Sequence, residues 1–257
     1  MLKKRFIGII TVKNGIAVQS FGYSRYLPIG NPVVVAENLD RWGVDEIVVL
    51  SIDRSIKSLE PDFELLNALC KLPLSTPLTY GGGIQNVEQA SAVIRAGAER
   101  ICLDTALHGN LDVLNEISSR IGAQAVLASI PLSTEEGELY WYNHVARKQR
   151  VADGALASIF ESGLVSEALL IDWKHEGLRD GFDLNLLRHV STPDAPLIAF
   201  GGMSEIVKMK EALSIAKVVG IGVGNFLHYS EHSVQKYKEH LECTALRLPK
   251  YQLPLNR

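Results

Sequence analysis

One pattern occurs twice in this chain, roughly 120 residues apart, and each copy places a double glycine directly after an apolar strand, a period far longer than any solenoid unit. The first copy reads Pro77-Leu-Thr-Tyr-Gly-Gly-Gly-Ile84, then an amphipathic run to Arg95-Ala-Gly-Ala98, then Arg100-Ile-Cys-Leu-Asp-Thr-Ala106. The second reads Pro196-Leu-Ile-Ala-Phe-Gly-Gly-Met203, an amphipathic run to Ile215-Ala-Lys217, then Val218-Val-Gly-Ile-Gly-Val-Gly-Asn225. Upstream lies another matched pair, Val44-Asp-Glu-Ile-Val-Val-Leu-Ser51 and Ser166-Glu-Ala-Leu-Leu-Ile-Asp172. A unit of this size is a half-domain. Two βαβα halves facing each other make a barrel with two equivalent glycine-lined rims, which suits a ligand with a phosphate at each end.

Apolar runs predict strands at 5–12, 46–52, 78–80, 101–103, 125–130, 168–172, 197–200 and 218–223. Several are apolar on both faces, as buried parallel strands are. Helix-period stretches lie between them at 32–42, 63–71, 87–96, 111–121, 153–162, 184–189, 205–214 and 233–241. Strict alternation implies right-handed crossovers and a parallel sheet. The expected fold is therefore α/β, a single closed (β/α)₈ barrel of two half-barrel repeats over 1–243, with a tail over 244–257. Two loops are long for such units. The one at 12–31 carries Tyr23, Arg25 and Tyr26 and reads as a lid; the one at 131–151 reads as a small exposed hairpin, its run Tyr140-Trp-Tyr142 serving hairpin packing.

With 257 residues and 47% hydrophobic content the chain can bury one large core. A net charge of −3 and a pI near 6.2 leave no electrostatic footprint for nucleic acid. No window is long and apolar enough for a membrane span, and the first residues lack the apolar run of a signal peptide. Cys70, Cys102 and Cys243 show no metal or redox spacing and read as reduced thiols of a cytoplasmic protein. His108, His144, His175, His228 and His232 likewise lack ligand spacing and read as surface or loop residues, so neither metal nor cofactor is expected.

The glycines carry the strongest functional signal. In a barrel, Gly82 and Gly83 follow the third strand and Gly201 and Gly202 the seventh, where backbone N–H groups can approach a phosphate without a Cβ in the way. Asp104 and Thr105 after the fourth strand, and Gly224 and Asn225 after the eighth, complete two anion cups, with Gly177 added to the set. One Gly-Gly alone reads more simply as a tight turn; two at equivalent positions favour phosphate binding. A bulky side chain at Gly82 or Gly202 is then expected to abolish ligand binding and leave the fold intact.

Four stretches, Met1-Leu-Lys-Lys-Arg-Phe-Ile-Gly-Ile-Ile-Thr-Val-Lys13, Gly81-Gly-Gly-Ile84, Arg95-Ala-Gly-Ala98 and Gly177 through Gly181-Phe-Asp183, resemble the cyclase subunit of imidazole glycerol phosphate synthase, the HisF family. The resemblance runs to about Leu241. It implies a barrel paired with a glutaminase, whose ammonia enters the barrel bottom, crosses the core and attacks a bis-phosphorylated ribulosyl substrate at the top. It also implies two acid–base aspartates ending strands 1 and 5. Here those positions are Thr11 and Pro131, and neither side chain titrates near neutrality. The family's loop-1 lysine falls at Gln19, and its strand-2 aspartate at Ser51, with Asp53 two residues on. Lys174, His175 and Glu176 stand where Asp-Arg-Asp is usual.

The family's charged ring at the bottom fares differently. Arg5, Glu46, Arg100 and Glu167 match it in sign, and the neighbouring Glu99 matches an acidic residue that contacts the glutaminase. A structural ion cluster is the plainer reading of such residues. Buried ions are a weak source of stability, though, and their survival beside the lost acids favours gating or docking. The resemblance thus implies a HisF-like subunit with an altered cyclase site, a glutaminase partner and a phosphorylated ligand. Similar divergent proteins of surface-polysaccharide clusters add a sugar amidotransferase. The alternatives are an orthodox histidine-biosynthesis cyclase rerouted through Asp53, Asp172 or Glu176, a non-enzymatic phosphate-binding scaffold, and the sister isomerase family, disfavoured because it needs the same aspartates.

Overall fold

The computed structural model describes residues 3–109, 111–152, 154–179, 181–190, 195–241 and 246–249. In chain order the strands are β1 (Arg5–Lys13), β2 (Ile16–Phe21), β3 (Arg25–Gly30), β4 (Glu46–Ser51), β5 (Leu78–Gly81), β6 (Arg100–Leu103), β7 (Val126–Glu135), β8 (Glu138–Asn143), β9 (Lys148–Val151), β10 (Glu167–Asp172), β11 (Leu197–Phe200) and β12 (Val218–Val223). The helices are α1 (Pro32–Trp42), α2 (Ile52–Ile56), α3 (Phe63–Cys70), α4 (Val87–Ala96), α5 (Asp112–Ile121), α6 (Ala155–Glu161), α7 (Asn185–His189), α8 (Ile206–Ser214) and α9 (Ser233–His240).

Eight strands pair in parallel in the order β10-β11-β12-β1-β4-β5-β6-β7, and β7 pairs back onto β10. The sheet is closed. All six residues of β4 are buried, as expected for a strand covered on both faces. Helix ends follow local chemistry: the Asn31 side chain accepts from Val33 N–H ahead of Pro32, and Gly43 ends α1 in the left-handed conformation.

Two β-hairpins extend the barrel at its top. β2 and β3 continue β1 antiparallel, and β8 and β9 continue β7. The strand expected to stop at 130 therefore runs through Pro131 to Glu135. The hairpin expected to be exposed is anchored instead: Trp141 is fully buried, its ring tilted against that of His108 at 4.3 Å.

Strand alternation sorts the apolar residues into two bodies. Phe6, Ile10, Ile47, Val49, Leu66 and Leu69 belong to the core between sheet and helices. Ile7, Ile9, Val48, Leu50, Cys102, Leu127, Leu169, Ile171, Ile198 and Phe200 form a separate cluster that fills the barrel. At the bottom, buried Lys238 of α9 donates to Asp45, just before β4, at 2.8 Å and to Gly43 O at 2.8 Å. The other Asp45 oxygen accepts from Phe6 N–H at 2.7 Å.

Of the expected tail, Leu246 is buried and bridges to Lys4, while most of the remainder, and Cys243 before it, lie outside the described residues. No described helix is long and apolar enough to cross a membrane.

Candidate functional site

Arg5, Glu46, Arg100 and Glu167 are the first residues of β1, β4, β6 and β10, so parallel pairing gathers them at the N-terminal mouth. They form a closed ring. Arg5 reaches Glu46 at 2.9 Å and Glu167 at 2.7 Å; Arg100 reaches Glu167 at 2.9 Å and Glu46 at 3.4 Å. Thr79 Oγ1 donates to Glu46 at 2.8 Å, and Arg100 donates to Ser166 Oγ at 2.9 Å. Directly above the ring begins the apolar column inside the barrel. Glu99 stands exposed beside Arg100 and accepts from Leu78 N–H at 2.6 Å.

At the top, the β2–β3 hairpin crosses the barrel mouth. Its tip puts Gly22 (φ 57°) and Tyr23 (φ 51°) in the left-handed region, and Tyr23 packs on the inner apolar cluster. Burial, then the carboxylates of Glu176 and Asp104, push the Tyr23 phenol well above its ordinary range. This tyrosine thus stands between the two rims.

On one side a cavity of about 670 Å³ opens, lined by Ser51, Asp53, Gly82, Gly83, Asp104, Thr105 and Pro131, and walled by Tyr142 stacked on Trp173 at 4.2 Å. Lys13, Lys57 and Arg147 bring cations to it. The loop-1 lysine position, Gln19, does not line it; Lys13 does.

The other side is far narrower. Gly177, Gly202, Gly224 and Asn225 line voids of only about 10 Å³, room for about one water and none for a phosphate. The reason is a side-chain latch. Ser20 N–H donates to Asn225 Oδ1 at 3.2 Å, and Asn225 Nδ2 donates to Ser20 O at 2.7 Å. A Cβ on Gly177 would sit 2.1 Å from Ser20 O. The two rims expected to be equivalent thus differ in the space above them.

The rim glycines also have a reason of their own. A Cβ on Gly82 (φ 118°) would lie 2.3 Å from Ser51 O, and one on Gly201 (φ 103°) would lie 2.5 Å from Asp172 O. A Cβ on Gly202 would likewise meet His175 O at 2.7 Å. Side chains at Gly82 or Gly202 would therefore disturb the turns themselves, contrary to the expectation of an intact fold.

Of the three carboxylates read as substitute acids, Asp53 lines the cavity and pairs with Lys57 at 2.7 Å. Burial would raise its carboxyl, but Lys57 outweighs that and holds it below the usual range. Asp172, to serve as a substitute acid, would have to reach the ligand. It is instead buried in its own loop, accepting from Asp183 N–H at 2.7 Å and pairing with the His175 ring at 2.8 Å. It does not line the open cavity. Glu176 is buried on the closed side and shares a small void with Thr11; burial pushes its carboxyl up to about 7.

One cluster was missed in the sequence. Asp104 lies between two histidines, with His108 Nε2 at 3.1 Å from Oδ1 and His144 Nδ1 at 3.2 Å from Oδ2. Burial would raise the Asp104 carboxyl, but the histidines override it and hold it low. Asp104 is thus already engaged rather than free to complete an anion cup. Its four-residue spacing to His108 was a usable signal; His144 arrives from β8 and had none. Among the described residues no cluster of His, Cys, Asp and Glu forms a metal site.

The family model described as histidine biosynthesis protein matches residues 5–233. This chain belongs to that family. It is a divergent HisF-like member: it is 31% identical to the putative imidazole glycerol phosphate synthase subunit hisF2 of Vibrio vulnificus (strain YJ016), over 96% of this chain and 92% of that protein. It is 29% identical to the imidazole glycerol phosphate synthase subunit HisF of Exiguobacterium sp. (strain ATCC BAA-1283 / AT1b), covering 97% of this chain and 96% of that one. The HisF subunit of Thermococcus onnurineus (strain NA1) is 30% identical over 94% of this chain and 96% of its own.

Proposed function

We propose that this HisF-like barrel is the ammonia-accepting subunit of a glutamine-dependent synthase or amidotransferase, with a glutaminase docked at the charged ring and a phosphorylated small molecule in the upper cavity. The observation that carries this reading is the contrast within one barrel. The four-membered ring at the bottom is complete and opens onto an apolar column, whereas the positions of both acid–base aspartates are Thr11 and Pro131. An apolar column admits neutral ammonia and rejects ammonium, whose burial unpaired is prohibitive. The altered top fits delivery of ammonia to other chemistry, such as sugar amidation by a separate enzyme. We also read the matched glycine turns as equivalent points of two half-barrel repeats.

The test is a mixture with the cognate glutaminase at micromolar concentration. A standard interface buries roughly 1,200–2,000 Å² and should co-elute on size exclusion. Glu99→Gln, which can still accept from Leu78 N–H, should weaken the complex at low salt more than at high salt. Glu167→Ala, which strips a counter-ion from both arginines of the ring, should uncouple glutamine hydrolysis from ammonia delivery. Absence of any complex would reject the conduit.

A second reading, an orthodox cyclase with a displaced acid, is favoured by Glu176, whose carboxyl near 7 lies beside Thr11. Turnover of the bis-phosphorylated ribulosyl substrate with ammonium salts decides between them. The altered-site reading expects a rate at least about 10³-fold below a normal cyclase, since one placed acid or base contributes 10²–10⁴.

A further inference from the structure

The proposed conduit makes no use of Asp104 and its histidines. His108 is the inner member, its side chain only 6% exposed and its ring tilted against buried Trp141, so it serves to hold Asp104. His144 is the outer member, 22% exposed and lining the open cavity. With Nδ1 turned to the carboxylate, the ring keeps its Nε2 for another partner, and none is present among the described residues. The Asp104 carboxylate beside the ring favours its protonated form.

The same turn brings a second cation. Arg147 lies three residues on, lines the same cavity, and has no carboxylate partner among the described residues. Its backbone is left-handed at φ 54°, within the turn that joins β8 to β9. The other charged groups that share the cavity are Lys13, Asp53, Lys57 and Asp104; Tyr23, Tyr26 and Tyr142 are its phenols. Lys57 is taken by Asp53 and Lys13 lies over the Tyr26 ring at 3.6 Å.

We propose that the turn after β8 is an anion site, in which His144 and Arg147 hold the one phosphate monoester of a small-molecule ligand whose remaining body lies against the Tyr142–Trp173 wall. The inference rests on the upper cavity being the ligand site, and it names the ligand class: singly phosphorylated, because the Ser20 latch narrows the Gly202–Asn225 rim to a void of about 10 Å³. It also moves the anchor from the glycine turns to side chains. Burial alone would lower the His144 imidazolium, but the Asp104 carboxylate overrides it and lifts the ring above the ordinary histidine range. The ring therefore keeps its charge to higher pH than an ordinary histidine, and the site weakens as pH rises.

Sulfate is the probe, since it is a tetrahedral dianion whose charge does not change between pH 5 and 9. Spectra of histidine-labelled protein should show the His144 titration moving to higher pH when sulfate is added and to lower pH in Asp104→Asn. Calorimetry should give one sulfate per chain, with affinity falling at least about 10-fold from pH 6 to pH 9 in the native protein and less than about 2-fold in His144→Gln. Arg147→Gln should weaken binding at both pH values. If Asp104→Asn fails to fold, the native titration with and without sulfate still decides. Sulfate that binds without moving the His144 titration, perturbing Gly82 and Gly83 instead, overturns the anchor but leaves the cavity as a ligand site. Two sulfates per chain overturn the single-phosphate class. No binding at all overturns both the anchor and the upper-cavity reading.

Discussion

At the first rim Gly82 and Gly83 turn with φ of 118° and 74°; at the second, Gly201 and Gly202 turn with φ of 103° and 73°. In each, the first glycine faces the carbonyl of a residue that ends a barrel strand, Ser51 or Asp172. What differs lies above them. Over the first turn is a cavity of about 670 Å³; over the second lies the β2–β3 hairpin, latched through Ser20 and Asn225, with voids of about 10 Å³ beneath. Glycine reports the turn. Whether a ligand can reach it is decided by a neighbour far away in sequence.

The sharpest way to break this comparison is to add a methyl group to each turn. Gly82→Ala and Gly201→Ala should each destabilise the barrel by at least about 2–3 kcal/mol in urea unfolding, because strained backbone and a carbonyl clash coincide. The two losses should agree within about 1 kcal/mol. A tolerated substitution at either would end the equivalence of the turns.

The next largest effect concerns the carboxyl sealed under the hairpin. Glu176 has an ordinary value near 4.5 and a folded value near 7. Its unfolded form therefore releases the proton first, and stability falls as pH rises through that window, by roughly 3 kcal/mol in all. Glu176→Gln should stabilise the protein by about 1–3 kcal/mol at pH 8 and by almost nothing at pH 4, read from unfolding curves at the two pH values. An unchanged pH profile would mean that the second rim is wetter than its geometry implies.

A smaller effect tests the latch. Asn225→Ala removes partners from both Ser20 N–H and Ser20 O, a loss of about 1–2 kcal/mol confined to the hairpin. Amide exchange over residues 16–30 should quicken while β4 and β5 keep their protection. If the hairpin stays protected, Tyr23 in the barrel mouth is the real fastener.

Much of this was legible in the chain. Strands such as β4 and β10 announce themselves as short runs apolar on both faces, and α1 and α4 carry an asparagine at one end and a glycine at the other, so their limits fell within a residue or so of expectation. The charged ring was legible through the family resemblance, which matched its four members in sign; the structure adds that each opens a strand, so that parallel pairing gathers them. The sealing of the second rim was not, since it depends on Ser20 meeting Asn225, 205 residues away. Asp172 misled for a related reason: a carboxylate at a strand end points toward ligands unless its own loop folds back to bond it, and loop geometry has no periodicity to read. His144 became meaningful only once a hairpin laid it against Asp104.

The pairing of Lys238 with Asp45 has a consequence for how the molecule is made. Asp45 leaves the ribosome 193 residues before its counter-ion. Until α9 exists, an early βα assembly that buries Asp45 carries an uncompensated charge, which costs several kcal/mol after relaxation. Nascent half-barrels are thereby discouraged from settling into compact forms or pairing with one another on a polysome. The last described helix thus supplies a charge that Asp45 has awaited since early in synthesis, and chains that stop short of it should remain soft, open and available to proteases.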